Sequence, residues 1–233
     1  MSIEEAAAEV PPTPRTRREL AVAQALDQAR SRAENRVEQF LDAAREVMYS
    51  NDGEFTVQEV VERSGQSLRT FYHYFAGKHE LLLALFEESI RSAVTHLQEV
   101  IAEAGEPLER LHRCVVEYYG MCRPAPKAQP PKGPTPAMVD FAQQLLTSHP
   151  KEASGAFVPL VALVEELLDH AEAAGDIRRD LDRRRIAGVM LQATMFNAFA
   201  TTISGSPPLP DGRDAAEVHW GLLLRGIATD AVA

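Results

Sequence analysis

Positive charge is what this chain is short of. Its 233 residues carry 34 acidic against 24 basic side chains, a net charge of -10. Binding a polyanion through overall charge is excluded, so any such contact must come from local placement. Cysteine is scarce too, with Cys114 and Cys122 the two in the chain. They stand eight apart in a helical pattern, hence about 12 Å apart along it, too far for a disulfide within that helix. A disulfide scaffold is therefore excluded. The two thiols read as reduced packing residues, with a redox sensor as the alternative. Long apolar runs are missing, and no secretory signal pattern is read, so we expect a cytoplasmic protein without a membrane partner. Strand-like alternation is missing, which leaves an all-α protein. There is no zinc-ligand spacing, no Gly-rich phosphate loop and no Ser-His-Asp pattern. His112 and Cys114, two apart on a helix, diverge, and His170 beside Glu166 and Asp169 is ordinary on a charged helix face. We expect no catalytic residues, no metal site and no cofactor.

What is there is a 45% hydrophobic content, enough for a good core, and one informative stretch. In Thr56 to Phe86, Thr56 and Glu59 are spaced as a capping box. Val57, Val60 and Val61 follow on one helix face. Gly65 stands where a left-handed residue is needed to stop that helix, and Ser67 can cap the next. Phe71 and Phe75, four apart, face the core together and leave Tyr72 and His73 outside. Two short helices across a Gly turn, with polar and aromatic groups exposed on the second, are the helix-turn-helix arrangement used in the DNA major groove. Residues 15–79 hold 10 acids and 10 bases, so this region is neutral inside an acidic protein.

The residues Thr56, Val60, Ser64-Gly65, Ser67, Thr70-Phe71-Tyr72-His73-Tyr74-Phe75, Lys78 and Leu81-Leu82 together resemble the DNA-binding domain of the tetracycline-repressor (TetR) family of bacterial regulators. The motif likeness covers about residues 34–86; beyond that it rests on helix layout. Two positions depart from the family pattern. Gln66 stands where an apolar turn residue is usual, and Arg69 where a small residue is common, which implies an unusual base preference.

The resemblance implies an N-terminal three-helix DNA-binding domain and a C-terminal helical domain for ligand binding and dimerisation. We draw the boundaries as a flexible, basic extension at 1–30, the helix-turn-helix domain at 31–80 and the C-terminal domain at 81–233. Residues 1–14 are acidic and Pro-rich and read as disordered. Arg15, Arg17 and Arg18 read either as an arm toward DNA or as the solvated start of a helix. A helical pattern runs from about Glu19 to Tyr49, with room for a break near Ser31. Its apolar face is Val37, Phe40, Leu41, Ala44, Val47 and Met48. A long helix is expected over 78–104, with Leu82, Leu85, Phe86, Ser89, Ala93, Leu97, Val100 and Ile101 buried. Further helices are expected at 106–122, 137–148, 156–174, 182–203 and 214–229. Residues 123–136 hold six prolines and read as a loop, over a pocket entrance or in solvent. A second loop is expected from the end of the 137–148 helix to Gly155.

DNA reading is expected from Ser67, Leu68, Arg69, Thr70, Tyr72 and His73. Arg69 suits guanine O6 and N7, Leu68 a thymine methyl, and Thr56 and Lys78 suit phosphates. Tyr74 is expected to be partly buried, and His79 and Glu80 to be solvated. A single recognition helix covers few base pairs, so a two-fold homodimer on a palindromic double-stranded operator is expected. Met190, Phe199, Val218 and Leu222 are the candidate interface, with Trp220 as an anchor; the same stripe reads alternatively as internal core. Tyr118, Met121, Met138, Phe141, Phe157, Val161, Val164, Phe196 and Asn197 are candidate lining for a lipophilic small-molecule effector, though such a stripe also packs as plain core. The chain therefore reads as a ligand-released repressor. The alternative is a DNA-binding dimer that is constitutive or controlled by a protein partner.

Overall fold

The structure is a computed structural model that describes residues 16–51, 55–123, 136–203 and 212–229, with the side chains of 136–140 and 202–203 outside that description. Among the described residues it is all helical, apart from a single antiparallel bridge between Ile177 and Ala228. Met138 and most of the Pro-rich segment therefore lie outside the described side chains, as do Arg15 and the acidic N-terminal residues.

Helix α1 spans Arg17–Ser50. Thr16 opens it with a capping box: its hydroxyl accepts from the Glu19 amide, and the Glu19 carboxylate accepts from the Thr16 amide. The helix runs on through Ser31 without the break that the sequence left room for, because no Pro or Gly interrupts it. Residues 17–30 of the proposed extension and the start of the helix-turn-helix domain at 31–50 thus share one continuous helix. Its first half is exposed, including Leu20 and Leu26. Its second half buries Phe40, Leu41, Ala43, Ala44, Val47 and Met48.

Helices α2 (Val57–Ser64) and α3 (Leu68–Tyr74) pack beneath that buried half. Helix α4 then runs Lys78–Ala102. It buries Leu81, Leu85, Phe86, Ile90, Ala93 and Leu97. Ser89, expected in that stripe, is exposed, and Ile90 takes its place. A polar hydroxyl at a half-wet position costs nothing there, whereas a branched aliphatic side chain gains by burial.

Helix α5 (Pro107–Met121) lies at the centre of the C-terminal bundle, against α4, α7 (Pro150–Ala174), α8 (Arg183–Ile203) and α9 (Ala215–Ile227). Its face of Leu111, Cys114, Val115, Tyr118 and Tyr119 is buried. Helix α6 covers Pro136–Ser148. The loop expected before Gly155 is not there: His149 alone separates α6 from α7. Pro150 sits at the first position of α7, where its missing amide hydrogen costs no hydrogen bond. Gly155 is simply an interior helix residue. Gly175 closes α7 with φ 89°, a left-handed conformation that strains any residue bearing a Cβ. The chain beyond α7 is tied to the end of α9, with the Arg178 amide donating to the Ile227 carbonyl at 2.9 Å.

Candidate functional site

The N-terminal unit is built as its spacing demands. Thr56 accepts from the Glu59 amide at 3.2 Å, and the Glu59 carboxylate accepts from the Thr56 amide at 2.7 Å. Those donations hold the Glu59 carboxyl below its ordinary range. Gly65 turns the chain with φ 66°. Ser67 caps α3 by accepting from the Thr70 amide at 3.0 Å. Gln66, the departure in the turn, donates through Nε2 to Gln39 Oε1 at 2.7 Å. A polar residue is thus accommodated by pinning the turn to α1.

Helix α3 has two faces. Phe71 is fully buried; its ring lies edge-on to Phe40 at 5.4 Å and is tilted against Phe75 at 5.5 Å. Edge contacts of this kind add about 0.5–1.5 kcal/mol beyond area burial. On the other face Leu68, Arg69, Tyr72 and His73 are exposed, Tyr72 by 57%. Ser67 and Thr56 are exposed as well, whereas Thr70 is half-buried and hydrogen-bonds Ser67. Tyr74 is half-buried with its ring beside His73. Lys78 is differently engaged. Its ammonium donates to the Phe55 carbonyl at 2.6 Å and sits 4.4 Å from the centre of the Phe55 ring. Glu80 is exposed, as expected, and accepts from the Ala76 amide, whereas His79, also expected to be solvated, is half-buried and bonds Glu152 at 2.7 Å.

A cavity of about 270 Å³ lies among α5, α6, α7 and α8. Tyr118, Phe157 and Val161 line it, together with Leu146, Pro150, Ala153, Ser154, Gly188, Leu191, Gln192 and Met195. Among the described residues that line it, the Tyr118 phenol is the one ionisable group. Burial, and the neighbouring Cys122, hold that phenol far from ionising. Other candidates fall elsewhere. Phe141 and Val164 are buried in the core outside the cavity, and Met121 packs half-buried against the core. Asn197 accepts from the Tyr119 hydroxyl at 3.0 Å. Phe196 is exposed by 44% and does not line this cavity. The lining residues at 150–154 were missed because that segment read as a loop. Leu191 and Met195 were missed because the lining contributed by α8 was assigned instead to Phe196 and Asn197.

The dimer candidates are likewise redistributed. Met190 and Phe199 are buried inside this chain, as are Trp220 and His219. His219 meets the Thr194 hydroxyl at 3.0 Å, and burial lowers its basicity. The apolar side chains that α8 and α9 leave outside are Val189, Phe196 and Leu222, the last exposed by 68%. Val218 is half-buried. On α8, Met190 and Phe199 lie at opposite edges of a wide buried stripe, while Val189 and Phe196, one heptad apart, share the exposed face.

The fold and this site define an all-α protein whose N-terminal unit is a helix-turn-helix of the DNA-binding kind. Residues 40–85 match the sequence profile of bacterial regulatory proteins, tetR family. Over this segment the chain is similar to the tetR family of bacterial regulators, and the fold of the described residues is like that of TetR-family structures. A TetR-family transcriptional regulator from Pectobacterium atrosepticum is similar with TM-score 0.64 at 19% identity, over 86% of this chain and 98% of that one. FadR from Thermus thermophilus, a transcriptional repressor solved with lauroyl-CoA, is similar with TM-score 0.60 at 24% identity, over 83% of this chain and 95% of that one. FadR from Bacillus subtilis, solved with stearoyl-CoA, gives TM-score 0.57 at 18% identity, over 80% and 95%. Comparison with curated protein sequences finds no match. Among the described residues, no helix is long and apolar enough to cross a membrane.

Proposed function

We propose that this protein is a cytoplasmic transcriptional repressor that binds a palindromic operator as a homodimer and is released by a lipophilic small molecule. The observation that carries the reading is the two-sided α3, with Phe71 locked in the core and Leu68, Arg69, Tyr72 and His73 held outward. In the major groove Arg69 donates to guanine and Leu68 meets a thymine methyl. Tyr72, His73 and the capped start of α2 at Thr56 contact phosphates. Lys78 acts mainly by fixing the start of α4. The dimer forms through the outer face of α8 and α9, with Val189, Phe196 and Leu222 as its apolar anchors.

The cavity favours a small-molecule effector over a constitutive or partner-controlled dimer. At about 270 Å³ it is near the small end of ligand sites. Among the described residues its lining offers Ser154, Gln192 and the Tyr118 hydroxyl as polar anchors and no countercharge, so the buried part of the effector is neutral and largely apolar. The relatives solved with acyl-CoA molecules make an acyl chain the first class to try. Effector and operator oppose each other because each favours a different setting of α4, and the two weaken one another equally.

The test is selection from random double-stranded DNA at physiological salt, followed by anisotropy titration of the enriched site with and without fatty acyl probes. An enriched two-half-site palindrome whose affinity falls in the presence of a probe supports the reading. No enrichment by protein that native mass spectrometry shows to be ligand-free would overturn it.

A further inference from the structure

His79, the second residue of α4, meets two groups from the start of α7. Its Nε2 lies 2.7 Å from Glu152 Oε2, and Glu152 Oε1 lies 3.5 Å from His149 Nδ1. The two imidazole rings stand 4.6 Å apart, centre to centre. One ligand atom from each of the three residues can be chosen so that all lie within 4.8 Å of one another. The three side chains are each about 40% exposed, at 42%, 40% and 41%, so an ion can reach them from solution. Phe141, which is buried, packs its ring 5.5 Å from that of His79 and limits its rotation.

We propose that His79, His149 and Glu152 form a divalent transition-metal site. The donor set decides the class of ion. Two imidazole nitrogens and one carboxylate oxygen suit Zn²⁺, Co²⁺, Ni²⁺ or Cu²⁺, whereas Mg²⁺ and Ca²⁺ require oxygen cages. Around zinc the ligand atoms sit about 2.0–2.2 Å from the metal and hence roughly 3.4 Å from each other. The present spacing reaches that by rotamer adjustments of about 1 Å. Three protein ligands leave the remaining position to water, as exposure at this site permits. Binding replaces the hydrogen bond between His79 and Glu152, and because imidazole and carboxylate ligate in their deprotonated forms the ion competes with protons for the site.

The placement gives the site a consequence. His79 follows Lys78, which is itself clasped to Phe55 ahead of α2. His149 and Glu152 belong to the α7 turn whose Pro150, Ala153 and Ser154 wall the cavity. A bound ion therefore bolts the helix leaving the DNA-binding unit to the wall of the cavity. Resting on the proposed function, this makes the metal a second input on operator affinity alongside the effector.

The experiment is a titration of chelator-treated full-length protein with Co²⁺, followed by visible absorbance, with competition by Zn²⁺ read calorimetrically. We expect one equivalent, weakened by about tenfold or more in His79→Ala and in Glu152→Gln, and unchanged in His96→Ala, which alters a separate His–Glu pair with Glu117. Circular dichroism shows whether each variant is folded, and Glu152→Gln preserves size if His79→Ala proves unstable. Absence of a one-equivalent site, or a site indifferent to both substitutions in folded protein, would overturn the proposal. The readout uses no DNA, so failure to find an operator and failure to bind metal are separate results.

Discussion

The ammonium of Lys78 donates to the backbone carbonyl of Phe55 at 2.6 Å and lies over the ring of the same residue at 4.4 Å. One side chain thereby joins the first residue of α4 to the segment that enters α2. The first expectation concerns what that contact is for. A charged hydrogen bond to a carbonyl and a cation–π contact, both partly exposed, stabilise by about 1 kcal/mol together after solvent screening. Lys78→Met should therefore lower unfolding free energy by about that much in urea melts. The salt dependence of operator binding should keep its slope. A phosphate-neutralising lysine would instead reduce the slope by about 1, and that result would return Lys78 to the DNA contacts.

Arg69 and Phe71 stand two apart on α3 and should fail in opposite ways. Arg69 is exposed and Phe71 fully buried. Arg69→Ala should leave the melting curve in place, weaken operator binding by about 1–3 kcal/mol, and relax preference at one base position per half-site. Phe71→Ala opens a cavity beneath α1 and should cost about 3–5 kcal/mol of stability. Binding selection on Arg69→Ala and denaturation of Phe71→Ala make the contrast directly. If Arg69→Ala retains the full base preference, the recognition face has been misassigned.

The local unit was legible because its signals are short-range. Thr56 with Glu59, Gly65 and Ser67 specify caps and a turn within one short stretch, and the structure makes each of those caps. Helix periodicity likewise located the bundle. It could not tell which apolar face of α8 meets its own chain and which is left outside, because both carry aliphatic and aromatic residues. Met190 and Phe199 went inward, and Phe196 outward. Pro150 and Gly155 read as a loop, since proline and glycine are the usual breakers. At the first turn proline is favourable, and an interior glycine costs only about 1 kcal/mol, which packing against α4 and α8 offsets. The His79, His149 and Glu152 cluster was invisible for the same reason: its partners lie about seventy residues apart, across a turn placed in the wrong conformation.

The cysteines give a chemical test of the core. Cys114 and Cys122 are both buried, and burial pushes each thiol up to about 12. At pH 8 the reactive thiolate is then a very small fraction, and access is blocked as well. Ellman's reagent should label neither thiol rapidly in native protein and both in urea. Peroxide should leave operator binding unchanged over the same period. Fast native labelling of either residue would restore the redox-sensor alternative.

Gly188 offers a way to separate the cavity from the rest of the fold. It lies inside α8 and lines the cavity, and a Cβ added there meets nothing within 4 Å. Gly188→Leu replaces a poor helix former with a good one, a gain of about 0.5–1 kcal/mol in a helix interior. Its side chain fills space that the effector would need. The variant should melt at the same temperature or higher and bind operator as tightly as the parent. It should bind a fluorescent fatty-acid probe at least about tenfold more weakly, a loss of roughly 1.4 kcal/mol. Operator release by acyl probes should shift to higher concentration by the same factor, since the coupling is reciprocal. Unchanged probe affinity in a folded Gly188→Leu protein would place the effector outside this cavity.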